Sequence, residues 1–178
     1  GYTVRYFVVL FLMVSGLTAY RAWVVLTNGL PLYVDEAQYW YWAQNLAWGY
    51  YSKPPMIAAV IAATTSVCGN AEPCIRAGSL IFYPLSTFVV FFLARRLFDE
   101  KIAFTAGLIF ITLPAVGVSS LLISTDVALF FFWILALFAF VRVLKSDAWW
   151  DWILLGVALG LGLLTKYTTG VFFLSAAL

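Results

Sequence analysis

Two adjacent carboxylates, Asp35 and Glu36, open the one strongly polar stretch of this chain. That stretch runs from Tyr33 to Pro55, with eight Trp and Tyr residues ahead of Lys53, Pro54 and Pro55. A shielded carboxylate can act as a general base, taking the proton of a hydroxyl or amine as that group forms a new bond. A lysine on the same side can hold a phosphate as a compact point charge. Asp126, in Ser124-Thr125-Asp126, and Lys166, after a run of leucines and glycines, add a second pair of charges inside apolar surroundings. A carboxylate deep in a bilayer costs about 2.5–3.5 kcal/mol on insertion scales, so such a group invites the reading of a polar cavity.

Each of these residues also has a plain structural reading. Asp35 and Gln38 stand three apart, the spacing of a capping box, so Asp35 could simply cap a helix over 36–47. Asp126 could be a charged helix start favoured by the macrodipole. Lys166 could snorkel from a helix end. On the residues alone both sets of readings stand.

The elements that must position these groups are membrane elements. The 178 residues are 65% hydrophobic and only 10% charged, against about 25% charged in ordinary soluble domains. Mean hydropathy is +1.00. The net charge of +2 excludes a polyanionic partner such as nucleic acid, and the absence of histidine excludes a histidine-based metal site or general base in this chain. Eight Trp, 10 Tyr and 16 Phe suit mass at membrane interfaces. The fold class expected is all-α, a polytopic transmembrane helical bundle with interfacial helices in the first outer loop.

Sparse charges punctuate the spans. They are expected at 6–26, 77–94, 102–123, 127–144, 149–165 and from 168 to 178 onward, with 27–76 as the outer loop. The apolar run 54–68 is too short for an ordinary crossing, which takes about 20 residues. Gly156 and Gly160 have the spacing for close helix approach, although glycine is common in membrane helices. Cys68 and Cys74 could pair if their loop faces an oxidising compartment. Gly1 is no initiator and the last residues are still apolar, so the chain reads as a piece of a longer protein.

Basic residues orient the bundle. Arg5, Arg95, Arg96, Lys101, Arg142 and Lys145 fall on one side of this threading, taken as cytoplasmic. Asp35, Glu36, Glu72 and Asp126 fall on the other, with Lys53, Arg76 and Lys166 beside them. Lysines placed against the positive-inside trend, next to carboxylates, look like a site.

Taken in order, Asp35-Glu36, Lys53-Pro54-Pro55, Arg76 in Ile75-Arg76-Ala77-Gly78-Ser79-Leu80, Ala94-Arg95-Arg96-Leu97-Phe98, Thr125-Asp126 and Leu164-Thr165-Lys166 resemble a known family. It is the GT-C membrane glycosyltransferases, of the protein O-mannosyltransferase and lipid A aminoarabinose transferase branch. The resemblance covers essentially the whole chain, as the N-terminal part of such an enzyme. It implies transfer of a sugar from a polyprenyl-phosphate carrier to an outer-side acceptor, a lipid A-type glycolipid or a protein hydroxyl. It implies that Asp35 is the catalytic base and Asp126 the second acidic residue, with Glu36 beside them. It implies that Lys53 sits near the lipid phosphate. Lys166, Arg76 and Tyr39 join the expected substrate-binding set. Lys53, where many mannosyltransferases carry histidine, leans towards the bacterial lipid-modifying branch. A bacterial inner membrane, with the site on the periplasmic side, follows from that leaning.

One base and direct attack would invert the anomeric centre. A divalent cation bridging Asp35, Glu36 and Asp126 is conceivable, since oxygen ligands suit hard cations, and no metal site is assigned. Membrane lipids are the remaining partners. The chain alone is expected to be inactive. The alternative from another class is a polytopic transporter with an intramembrane Asp126/Lys166 site. Cysteine-accessibility labelling is expected to reach position 50 from outside and not position 99. The reverse pattern would overturn the orientation.

Overall fold

The computed structural model describes residues 2–146 and 148–177. Residues 1 and 178, the two ends of the expected domain, lie outside the described residues. Every regular element among the described residues is a helix. They are α1 (Tyr2–Thr27), α2 (Val34–Ala43), α3 (Met56–Cys68), α4 (Glu72–Leu97), α5 (Glu100–Thr112), α6 (Pro114–Ser119), α7 (Thr125–Val143), α8 (Trp149–Thr165), a 3-10 turn (Tyr167–Gly170) and α9 (Val171–Ala177). This is the all-α membrane bundle that composition requires.

Among the described residues, three helices are long and apolar enough to cross a bilayer, over Val4–Thr27, Glu72–Leu97 and Thr125–Val143. At 1.5 Å per residue, 19 residues span about 28 Å, close to the hydrocarbon thickness. The exposed faces of these helices carry Phe11, Leu12, Ile81, Leu85, Phe130 and Leu137. In lipid, such faces need no further cover. Trp48 and Tyr51 stand out at one end of the bundle, and Trp149, Trp150 and Trp152 at the other. These two aromatic belts mark the two headgroup levels.

The segment 102–123 is not one continuous helix. It breaks at Leu113, which is extended (φ −52°, ψ 134°), before Pro114 at the start of α6. Proline drives the residue before it out of the α region and cannot donate its own amide. The break frees the carbonyl of Ile111, and Arg21 of α1 fills the gap. Its Nη2 donates to Ile111 O at 2.7 Å and its Nη1 to Ser120 Oγ at 3.1 Å. Arg21, a charged residue in an apolar helix, is therefore a buried strap across a helix break.

Helix α4 is the hub, packed against α1, α3, α5 and α7. The core between them is built from Leu10, Ile57, Ile61, Tyr83, Phe91 and Val127. A smaller cluster of Ala136, Ala158, Leu159 and Phe172 joins α7, α8 and α9. Close approach of α3 to α4 rests on Gly78, where an added Cβ would lie 2.7 Å from Val60 Cγ1. Gly156 and Gly160, by contrast, have nothing within 4 Å of such a Cβ and bring no described helix close. A disulfide joins Cys68 to Cys74 and ties the end of α3 to the start of α4.

Candidate active site

The site is assembled around a buried ion pair. Glu36 lies in the first turn of α2, and its carboxylate is saturated. Arg76 of α4 donates through Nε to Oε1 at 2.9 Å and through Nη2 to Oε2 at 2.8 Å. The Tyr33 amide donates to Oε2 and the Ile123 amide to Oε1, each at 2.9 Å. Arg76 spends two further donors on the carbonyls of Leu30 (3.2 Å) and Pro31 (3.0 Å). Both side chains are almost wholly buried, at 1% and 3% exposure. Burial alone would push the Glu36 carboxyl up. The hydrogen bonds from Arg76, Tyr33 and Ile123, with the Arg76 charge, overcome it and hold the group below its ordinary range.

This arrangement revises the expected cap. Helix α2 begins at Val34 with Tyr33 as its N-cap, so Asp35 is inside the first turn. The return bond to the N-cap amide comes from Glu36, three residues on. Asp35 is exposed and makes no hydrogen bond or ion pair among the described residues. Glu36 is therefore no partner for a cation shared with Asp35 and Asp126, because both its oxygens are taken. Among the described residues no group of three ligating side chains forms a metal site.

The clamp sets the other groups in place. Ile123, held by Glu36, lies three residues before Asp126 in the first turn of α7. Ser79 of α4 donates to the carbonyl of Leu122 and fixes the same segment. Tyr39 is buried one turn along α2 from Asp35. Burial raises its phenol above the usual value, and the charges of Asp35 and Asp126 raise it further. Lys166, in the extended residue that ends α8, donates to Asp126 Oδ1 at 2.9 Å. That pair is open to its surroundings, at 34% and 50% exposure.

An apolar cavity of about 410 Å³ is lined by Leu46, Trp48, Pro55, Met56, Ala59 and Leu164. Pro55 is two residues after Lys53 and Leu164 two before Lys166, so the cavity lies between the segments that carry the two lysines. Lys53 is half-buried, and its ammonium makes no ion pair among the described residues. The structure therefore pairs Lys166 with Asp126, sets Tyr39 one turn along α2 from Asp35, and joins Glu36 to Arg76 and to the segment leading into α7. The Glu36–Arg76 pairing, 40 residues apart, had no local signal beyond an arginine in an apolar helix.

The chain belongs to the dolichyl-phosphate-mannose-protein mannosyltransferase family, whose profile matches residues 52–178. It is 41% identical over 157 residues to the lipid A galacturonosyltransferase RgtD of Rhizobium johnstonii, covering 88% of this chain and 33% of that protein. It is 33% identical over 146 residues to the lipopolysaccharide core galacturonosyltransferase RgtA of the same organism, covering 81% of this chain and 29% of that one. The chain thus spans about a third of the length of the curated relatives it matches. No solved structure matches it.

The clamp makes a direct prediction. Glu36→Gln leaves the Arg76 charge buried without its counter-charge, which costs about 3–5 kcal/mol when one partner of such a pair is removed. Thermal unfolding in detergent should register that loss. The sign of the pH effect follows from the lowered carboxyl. The contribution is complete above the ordinary value of 4.5 and is lost as pH falls through the lower folded value. Wild-type stability should fall on acidification, and the Glu36→Gln variant should fall less steeply.

Proposed function

We propose that this chain is the N-terminal part of a membrane glycosyltransferase that moves a sugar from a polyprenyl-phosphate carrier to a lipid A-type acceptor. The reading is carried by the Lys166–Asp126 pair at the head of α7 and the uncommitted Asp35 on α2, two elements joined by the bond from the Ile123 amide to Glu36. Identity of 41% to a lipid A galacturonosyltransferase supports the acceptor class and makes galacturonic acid the first sugar to test. A bacterial inner membrane with this end in the periplasm is supported by the basic residues at the opposite end and by the Cys68–Cys74 disulfide.

The chemistry is a single displacement. The acceptor hydroxyl oxygen attacks the anomeric carbon of the donor sugar. Asp35 takes the hydroxyl proton, and its freedom from other partners is what the task requires. The bond from the anomeric carbon to the phosphate oxygen breaks, and its electron pair leaves with the carrier phosphate. One displacement inverts the anomeric centre. Charge grows on the leaving phosphate, and Lys53 and Lys166 are the cations placed to offset it. Lys166 spends one of its three donors on Asp126 and has two left for a phosphate. The apolar cavity beside both lysine segments takes the first isoprenoid units. Glu36 and Arg76 act as positioning residues, holding α2 against α4 and the start of α7.

Asp35→Asn keeps size and removes the base. In the full-length protein it should express and melt like wild type while sugar transfer falls by at least about 100-fold. Transfer close to wild type would move the base to Asp126. Lys53→Ala should weaken binding of the polyprenyl-phosphate carrier with little change in melting temperature. Unchanged carrier affinity would leave the phosphate to Lys166.

A further inference from the structure

The opposite end of the bundle holds a second concave polar feature that the proposed reaction does not use. Arg95 and Arg96 end α4, and Arg142 lies in the last turn of α7. With Phe92 and Phe138 they line a cavity of about 430 Å³. Among the described residues no carboxylate lines it. The Phe138 ring lies between two of the cations, 6.0 Å from the Arg96 guanidinium carbon and 5.6 Å from that of Arg142. Cation–π contact steadies a guanidinium without neutralising it.

Neighbouring carboxylates remove only part of the charge. Asp151 accepts from Arg142 Nε at 2.6 Å, and Glu100 lies 3.7 Å from Arg95 Nε. Arg96 has no carboxylate within ion-pair distance among the described residues. Lys145 adds a cation at the rim, its Nζ donating to the Arg96 carbonyl at 3.2 Å. Basic residues that only set topology would point singly into water from loops. These three arginines are helix-borne and converge on one concavity between two spans. Exposed Trp149, Trp150 and Trp152 at the same end set the headgroup level.

The geometry points to a binding site for a phosphate group in this cavity, that of an anionic phospholipid headgroup. Planar guanidinium forks match phosphate oxygens. The phenyl walls meet the apolar part of the headgroup and the first acyl carbons. A free phosphate ion shares the charge but not the apolar contact, so the two sources can be separated by measurement.

The test is a lipid titration of the delipidated full-length protein in neutral detergent, read by native mass spectrometry. The probes are phosphatidylglycerol, phosphatidylcholine and inorganic phosphate. Wild type should prefer phosphatidylglycerol over phosphatidylcholine. The double variant Arg95→Gln/Arg96→Gln should lower phosphatidylglycerol affinity about 30-fold, at about fivefold per basic residue near an anionic surface. Arg142 stays in place, because nearly buried Asp151 depends on it. If the double variant does not express, Arg96→Gln alone should show about a fivefold loss. Binding of inorganic phosphate that is lost in the same variant would keep the phosphate site and assign it to a soluble ion. Equal binding of the two lipids by wild type, or unchanged phosphatidylglycerol affinity in a folded variant, overturns the site.

Discussion

Two charges buried in an apolar bundle are costly to desolvate, by several kcal/mol per ion even after relaxation. Glu36 and Arg76 meet that cost because the carboxylate accepts four hydrogen bonds and four of the five guanidinium N–H donors have partners. The partners come from four separate segments: the end of the loop after α1, the start of α2, the body of α4 and the strand of chain leading into α7. None of these can shift without exposing a buried ion. The pair is thus less a source of net stability than a device that fixes one geometry. Asp35 and Tyr39 ride on one side of it and Asp126 on the other.

The same physics sorts the carboxylates by what they can do. Glu36 accepts four hydrogen bonds and is held ionised. Asp35 is exposed and uncommitted. Asp126 is paired, but with an open lysine at 50% and 34% exposure, and exposed ion pairs are worth only about 0–1 kcal/mol. Such a pair can trade partners with an incoming phosphate or hydroxyl at little cost. Asp35 and Glu36 are adjacent in sequence but about 100° apart around α2, so one is exposed and the other buried.

The two ends of the bundle solve different electrostatic problems. One gathers carboxylates and lysines beside an apolar cavity, and the other gathers arginines around two phenyl rings. Between them, α4 carries Arg76 near its start and Arg95 and Arg96 at its finish, so a single helix ties both ends. Arg21 shows the same economy inside the bilayer. A helix break at Leu113 and Pro114 would strand a carbonyl in hydrocarbon, and the arginine of a neighbouring span satisfies it.

Composition and charge spacing alone determined that this is an all-α membrane bundle, because a chain with so few charges must satisfy its backbone in helices. They also located α1, α4, α7 and α8 within a few residues, since those apolar runs are bounded by charges or by their absence. The order of short motifs pointed to the family. What the sequence left open was which charges meet. Asp35 and Glu36 read alike as neighbours, but a helix turns successive residues about 100° apart, so one faces the bundle and the other does not. The partner that silences Glu36 lies 40 residues away, and the amide that completes its shell 87 away. The pairing of Lys166 with Asp126 likewise depends on α7 and α8 packing side by side. Proline at 114 was visible all along, yet the run 102–123 read as one span because hydropathy does not record a missing amide. Local pattern decides where helices form, whereas a buried charge finds its partner only when those helices pack.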